Sequence, residues 1–281
     1  MSINLLFVVV EVVFGLRAHS LALLSDAGHN LGDVLGLGLS WGALLLGQRP
    51  PSARHTYGMR RASILAALGN AILLLVAVGG ISWEALQRLL HPQPVAGQTV
   101  MAVAGIGIVV NGLSALLFVA GRKSDLNIRG AFQHMVSDAA VSMGVVLAGV
   151  AIQFTGRSWL DPAVSLGVGA VIVLGTWSLL RESLRLAMDA VPQGVDLPAI
   201  QGYLEQLPGV TAVHDLHVWA MSTTETALTV HLVVPKRAIH DDELSQICGG
   251  LHSRFGIEHT TVQIERGDGS RECGQAPAQV V

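Results

Sequence analysis

Two short strings set an imidazole and a carboxylate four residues apart inside long apolar runs. The first, Ser25-Asp26-Ala-Gly-His29-Asn30-Leu-Gly-Asp33, puts Asp26, His29 and Asp33 on one helical face by i, i+3 and i+7 spacing. The second, His134-Met-Val-Ser137-Asp138, repeats the His-x-x-x-Asp pair at i, i+4. Two helices that each offer one imidazole and one carboxylate from successive turns can converge on four ligands. Zn2+ favours that number in a tetrahedron, with nitrogen and oxygen donors about 2.0–2.2 Å away. The structural alternative is a pair of internal hydrogen bonds. Ionisable groups inside a lipid-spanning helix cost on the order of 3 kcal/mol each, so two identical pairs favour metal over packing alone. Asp26 stands one turn nearer the outside than His29 and is either a proton or ion relay or a packing carboxylate satisfied by Ser25 and backbone. Glu11 has no second polar residue on its own helix to support it and is assigned a structural part.

The helices that hold these residues follow from composition. The chain has 281 residues, 51% hydrophobic and 13% charged, with mean hydropathy +0.54. An ordinary soluble domain carries roughly 25% charge, so lipid is the expected surrounding. A span needs about 20 mainly apolar residues. Six runs qualify or come near it: Ile3 to Leu16, Leu21 to Leu46, Ala62 to Leu86, Thr99 to Ala120, Ala131 to Phe154 and Pro162 to Leu180. The first is short and lacks a basic leader, which suggests a clipped start or a tilted helix rather than a cleavable signal. Arg49, Arg54, Arg60, Arg61, Arg122, Lys123, Arg129, Arg181 and Arg185 follow the even-numbered runs, whereas only Arg17, Arg88 and Arg157 lie in the other breaks. The positive-inside rule then puts both termini in the cytoplasm.

Beyond residue 190 the pattern changes. Residues 191–281 hold 5 Lys/Arg and 11 Asp/Glu, an acidic balance that excludes a nucleic-acid surface. Cys248 and Cys273 are the only cysteines, too few for a disulfide framework or a paired CxxC module. Asp196 to Leu207 reads as a capped helix, Val210 to Ala220 and Thr226 to Val234 as strands, Asp241 to Phe255 as a helix and Thr260 to Glu265 as a last strand. The expected organisation is a transmembrane domain at 1–190, a small α+β domain at 191–266 and a disordered, Gly/Pro-rich tail at 267–281. The small domain has a modest core, so pairing with a second copy is plausible.

The strings Leu24-Ser-Asp26-Ala-Gly-His29-Asn-Leu-Gly-Asp33, Tyr57-Gly58, Leu65-Ala-Ala-Leu68, His134-Met-Val-Ser-Asp138 and Val213-His-Asp-Leu-His-Val-Trp219 resemble the cation diffusion facilitator family, in its zinc-transporting branch. The resemblance implies six transmembrane helices with a cytoplasmic ferredoxin-like domain, working as a homodimer in a bacterial inner membrane and exchanging Zn2+ for protons. It implies His29, Asp33, His134 and Asp138 as the transport site, and ties a His at position 29 to preference for zinc over cadmium.

In the tail domain the resemblance implies metal ligation by His214, His231 and Glu265, with His217 either a partner that orients a ligand from behind or a bridging ligand, and His259 or Gln263 as a further ligand. Strand alternation would put His214 on the opposite side from Asp215 and His217 only if the strand is regular there. His240 and His252 read as helix-surface residues. Arg61 and Asp189 match positions that link the two domains in relatives, though two solvated charges would look the same. His55 stands alone where some relatives hold a loop metal, with Ser52 and Met59 at the other two places, so a site there is not expected.

Alternating access is the expected mechanism: metal loads once His29 and His134 are neutral and Asp33 and Asp138 ionised. Export of Co2+, Ni2+, Cd2+ or Fe2+ is the nearest rival, because ligand type alone does not fix the metal. An intramembrane metal hydrolase would need an open ligand position and a general base, and no His-Glu-x-x-His string occurs. A metal sensor would not need six spans with a midplane site.

Overall fold

The computed structural model describes residues 2–119, 126–235, 238–267 and 273–275. Six apolar helices come first: α1 (Ser2–Ala18), α2 (Leu21–Gly47), α3 (Ala62–Leu90), α4 (Gly97–Phe118), α5 (Leu126–Thr155) and α6 (Leu160–Ala187). A small α/β domain follows, with α7 (Leu197–Glu205), β1 (Ala212–Ala220), β2 (Thr226–Val233), α8 (Asp241–Phe255) and β3 (His259–Glu265). Helices α2 to α6 are long and apolar enough to cross a membrane. The sixth, α1, has 17 residues, a rise of roughly 25 Å. Helix ends overrun the apolar runs: α3 continues to Leu90, α6 to Ala187, and α5 begins at Leu126. Backbone hydrogen bonding does not stop where hydrophobicity does, and the polar turns can project beyond the hydrocarbon. Ala120, the expected end of the fourth run, and Arg122 and Lys123 lie outside the described residues.

Two compact units make up the chain, Met1–Leu39 with Gly69–Leu180, and Ser40–Leu68 with Arg181–Val281. The first is inverted relative to a water-soluble bundle. Ser20, Ser25, Asp26, Asn30, Ser142, Asp161 and Ser165 are buried, while Leu6, Val76, Leu117, Phe154 and Leu174 are exposed. So much large apolar surface turned outward is a lipid-facing surface. The interior packs small residues, Ala18, Ala22, Val100, Ala104 and Val145 among them, as helices in lipid do.

Glycine sets the closest approach. A Cβ on Gly97 of α4 would stand 2.9 Å from the carbonyl oxygen of Gly149 in α5, and one on Gly149 would stand 3.1 Å from the carbonyl oxygen of Gly97. Backbone cannot move aside as a side chain can. Gly97→Ala is therefore expected to destabilise by about 1–3 kcal/mol despite alanine's better helix propensity. A lower melting temperature in detergent is the expected reading; an unchanged or higher one contradicts this packing.

In the second unit the sheet order is β1-β2-β3, with β1 antiparallel and β3 parallel to β2. The parallel pair needs a crossover, which α8 supplies. Asp196 caps α7 by accepting from the Ala199 backbone N–H at 3.1 Å. Ile200 and Leu204 of α7 and Ile247 and Leu251 of α8 pack on Val218, Leu228, Val230 and Leu232. Alternation along β2 and β3 therefore turns Thr229, His231, Gln263 and Glu265 to the face away from the helices.

Candidate metal centres

Helix α2 carries Asp26, His29 and Asp33, and α5 carries His134 and Asp138. His29 Nε2 lies 3.2 Å from Asp138 Oδ1 and 4.0 Å from Asp33 Oδ2. His134 Nε2 lies 3.4 Å from Asp33 Oδ2 and 3.6 Å from Asp138 Oδ2. The two imidazole centres are 6.4 Å apart. Donors at 2.0–2.1 Å in a tetrahedron are separated by about 3.3 Å; His29, Asp33 and Asp138 each bring a ligand atom within 4.8 Å of the others, whereas His134 stands outside that group of three and approaches Asp33 and Asp138. Asp33 Oδ2 is buried, and the partners beside it are the imidazoles of His134 and His29. An acceptor of that kind calls for a positive partner. Asp33 and His134 also line a cleft of about 620 Å3, together with Gly32, Asn70, Ser114 and Leu117.

Polar side chains from other helices finish the surroundings. Asp26 Oδ2 accepts from Ser142 Oγ of α5 at 2.9 Å, and the Asp26 carboxyl also meets that of Glu11 of α1. Ser25, the expected partner of Asp26, instead meets Ser165 of α6 at 2.7 Å. Adjacent helical residues face different directions, which explains the difference. Glu11 is fully buried and accepts from Asn30 Nδ2 of α2 at 3.0 Å. Its polar support thus comes from a neighbouring helix, where a scan of its own sequence could not find it. Asp161 of α6 accepts from Ser20 Oγ and from the backbone N–H of Leu21 at 2.6 Å and Ala22 at 3.4 Å. It caps α2 from another helix and so fixes the N-terminus of the segment that carries His29 and Asp33.

The helix-free face of the tail sheet gathers a second group. His214 pairs with His231 across β1 and β2, their ring centres 5.1 Å apart. Glu265 Oε2 is 3.0 Å from His214 Nε2 and its Oε1 is 3.0 Å from His231 Nδ1. Strand β1 is not regular: the register shifts between His214 and His217, and Asp215 has φ +51°. This bulge turns Leu216 toward the core and brings Asp215 and His217 to the side of His214. Asp215 bridges His217 Nε2 at 2.9 Å and His231 Nε2 at 3.4 Å. A carboxylate on one imidazole nitrogen leaves the other aimed at a metal. Burial raises the Glu265 carboxyl, but hydrogen bonds involving Cys273, His214 and Gln263 outweigh it and hold the group below the usual carboxylate range.

His259 lies apart from this group. It starts β3 and stands edge-on to Tyr57, with centres 5.4 Å apart, about 20 Å along the strand from Glu265. Gln263 donates to Glu265 Oε1 at 3.0 Å. His252 is exposed on α8, and His240 precedes that helix, its N–H donating to Glu243 at 3.2 Å. His55 belongs to an exposed turn closed by Ser52 and by Gly58 at φ +69°, and no group of three potential ligands among the described residues includes it. Arg61 forms an ion pair with Asp189, whose φ is +57°. A neighbouring pair, Arg60 with Glu225, and the hydrogen bond from the Thr223 N–H to Ser63 Oγ have no counterpart among the sequence motifs. Nothing in their spacing signals contacts between residues 160 or more apart.

A bundle of apolar helices with acidic and imidazole groups inside, followed by a small α/β domain, fits a membrane transporter of cations. The profile for the cation efflux transmembrane domain matches residues 1–187, and that for the cation efflux protein cytoplasmic domain matches residues 192–267. The chain belongs to the cation efflux family, also called the cation diffusion facilitators, and is a metal-cation transporter rather than an enzyme. It is 36% identical to the metal cation efflux system protein CzcD of Cupriavidus metallidurans over 98% of this chain and 89% of that one. It is 38% identical to the zinc transporter ZitB of Escherichia coli strain K12, over 92% and 83% of the two chains. With a cadmium, cobalt and zinc/H(+)-K(+) antiporter of Bacillus subtilis strain 168 it shares 34% identity, over 92% and 85%.

Proposed function

We propose that this chain exports Zn2+ from the cytoplasm in exchange for protons, by alternating access around His29, Asp33, His134 and Asp138. The observation that carries the proposal is the convergence of two imidazoles and two carboxylates from α2 and α5, with contacts of 3.2 to 4.0 Å. Names of the relatives add support, since they include a zinc transporter and an antiporter of cadmium, cobalt and zinc. An imidazole ordinarily titrates near pH 6.5. Loading from the cytoplasm needs both imidazoles neutral and displaces their protons; a more acidic outside reprotonates them, weakens the site and releases the metal. Asp26 is the relay in this reading. It is fully buried, one turn from His29, and lies against the buried Glu11 carboxyl.

The chain works as a homodimer with both termini and the tail domain in the cytoplasm of a bacterial inner membrane. The three-stranded sheet with its small core, the arginine-rich even breaks and the bacterial sources of the relatives support that placement. Metal bound at His214, His231 and Glu265, with His217 behind Asp215, biases the dimer toward transport; Arg61 and Asp189 form the domain link. His259, which lies away from this cluster, and His55 are not assigned ligand roles.

Proteoliposomes with an acidic lumen test the proposal. Zn2+ supplied outside should accumulate several-fold faster than without the gradient, and a protonophore should abolish that advantage. Equal accumulation with and without the gradient contradicts proton coupling. Faster accumulation of Co2+, Ni2+, Cd2+ or Fe2+ than of Zn2+ moves the substrate to that metal.

A further inference from the structure

Cys273 stands beside the tail cluster. Its Sγ is 3.6 Å from His231 Nδ1, and one ligand atom from each of His214, His231, Glu265 and Cys273 lies within 4.8 Å of all the others. We propose that Cys273 is the fourth ligand of a thiolate-bearing site for a soft divalent cation, Zn2+ or Cd2+, completed by His214, His231 and Glu265. The proposal rests on the reading of those three as cytoplasmic metal ligands and adds a ligand from beyond β3.

Geometry favours it. A zinc ion with a sulfur at about 2.3 Å and a nitrogen at about 2.05 Å in a tetrahedron sets the two donors about 3.6 Å apart, the separation between Cys273 Sγ and His231 Nδ1. His231 is buried and its Nε2 faces Asp215, so Nδ1 is the nitrogen turned to both Cys273 and Glu265. Charge favours it as well. Counted over the ligands alone, a divalent cation held by two neutral imidazoles and one carboxylate keeps a net charge of +1, with the Asp215 carboxylate behind His231. On loading, the Cys273 thiol releases its proton to solvent and binds as thiolate, bringing the metal and its four ligands to neutrality. Thiolate also selects, because soft sulfur favours Zn2+ and Cd2+ over Mg2+ and Mn2+.

The test uses the full-length chain in detergent with Cys248→Ser, so that Cys273 is the remaining thiol. Zn2+ should slow alkylation of Cys273 by iodoacetamide by at least about tenfold, and His231→Ala should remove the protection. Co2+ should give a thiolate-to-metal charge-transfer absorption that disappears with Cys273→Ser. Alkylation unaffected by Zn2+, or an absorption that survives Cys273→Ser, overturns the proposal. Binding of Zn2+ that depends on His231 but not on Cys273 overturns the thiolate ligand and leaves the three-residue site intact. Loss of all His231-dependent binding overturns both, while the membrane site is read separately by flux.

Discussion

Asp138→Ala is expected to lower Zn2+ flux into proteoliposomes by at least about a hundredfold, since removing even groups that merely orient a ligand typically costs 10–100-fold. Asp138 touches both imidazoles, at 3.2 Å from His29 and 3.6 Å from His134, so its removal takes one ligand and releases two others. The carboxylate is buried, and the variant therefore needs a control for folding. His134→Ala provides it: that side chain is 42% exposed, its loss disturbs packing less, and it too should stop transport. Wild-type flux in either variant, in protein that melts normally, would remove the four-residue site from the account.

Asp161→Ala is expected to act on stability rather than on metal. The carboxylate is fully buried and accepts from the Ser20 hydroxyl and the backbone N–H groups of Leu21 and Ala22. Alanine leaves these donors without a partner in a place that water does not reach, at a cost of about 2–4 kcal/mol. The melting temperature and folded yield should fall sharply, while flux per folded molecule is retained. Asp161→Asn should be milder, because its amide oxygen still accepts one bond although its NH2 group has no role there. An unchanged melting temperature in the alanine variant contradicts the capping role.

Much of this architecture could be read from residue order, and the exceptions share a cause. Apolar run length exposed the helices, and i, i+4 spacing set His29 beside Asp33 and His134 beside Asp138, because these are properties of one segment at a time. The partners of Glu11 and Asp26 come from other helices, Asn30 and Ser142, and single-segment periodicity carries no information about them. The place of Asp215 and His217 depended on whether β1 is regular. A single left-handed residue decided that, and an aspartate tolerates such a conformation without announcing it in sequence. Cys273 lies within a stretch read as a disordered tail, yet its sulfur meets His231. Most of that stretch, 268–272 and 276–281, is outside the described residues. Composition describes how a segment behaves alone and says nothing of one side chain that finds a partner on a folded sheet.

The exchange of metal for protons is tested most directly by lumenal pH in proteoliposomes that start without any gradient. When Zn2+ is added outside wild-type vesicles holding a trapped pH indicator, the account predicts that the lumen turns alkaline as zinc enters, and that Asp138→Ala vesicles show neither change. Zinc that accumulates while lumenal pH stays constant, or falls, would contradict it.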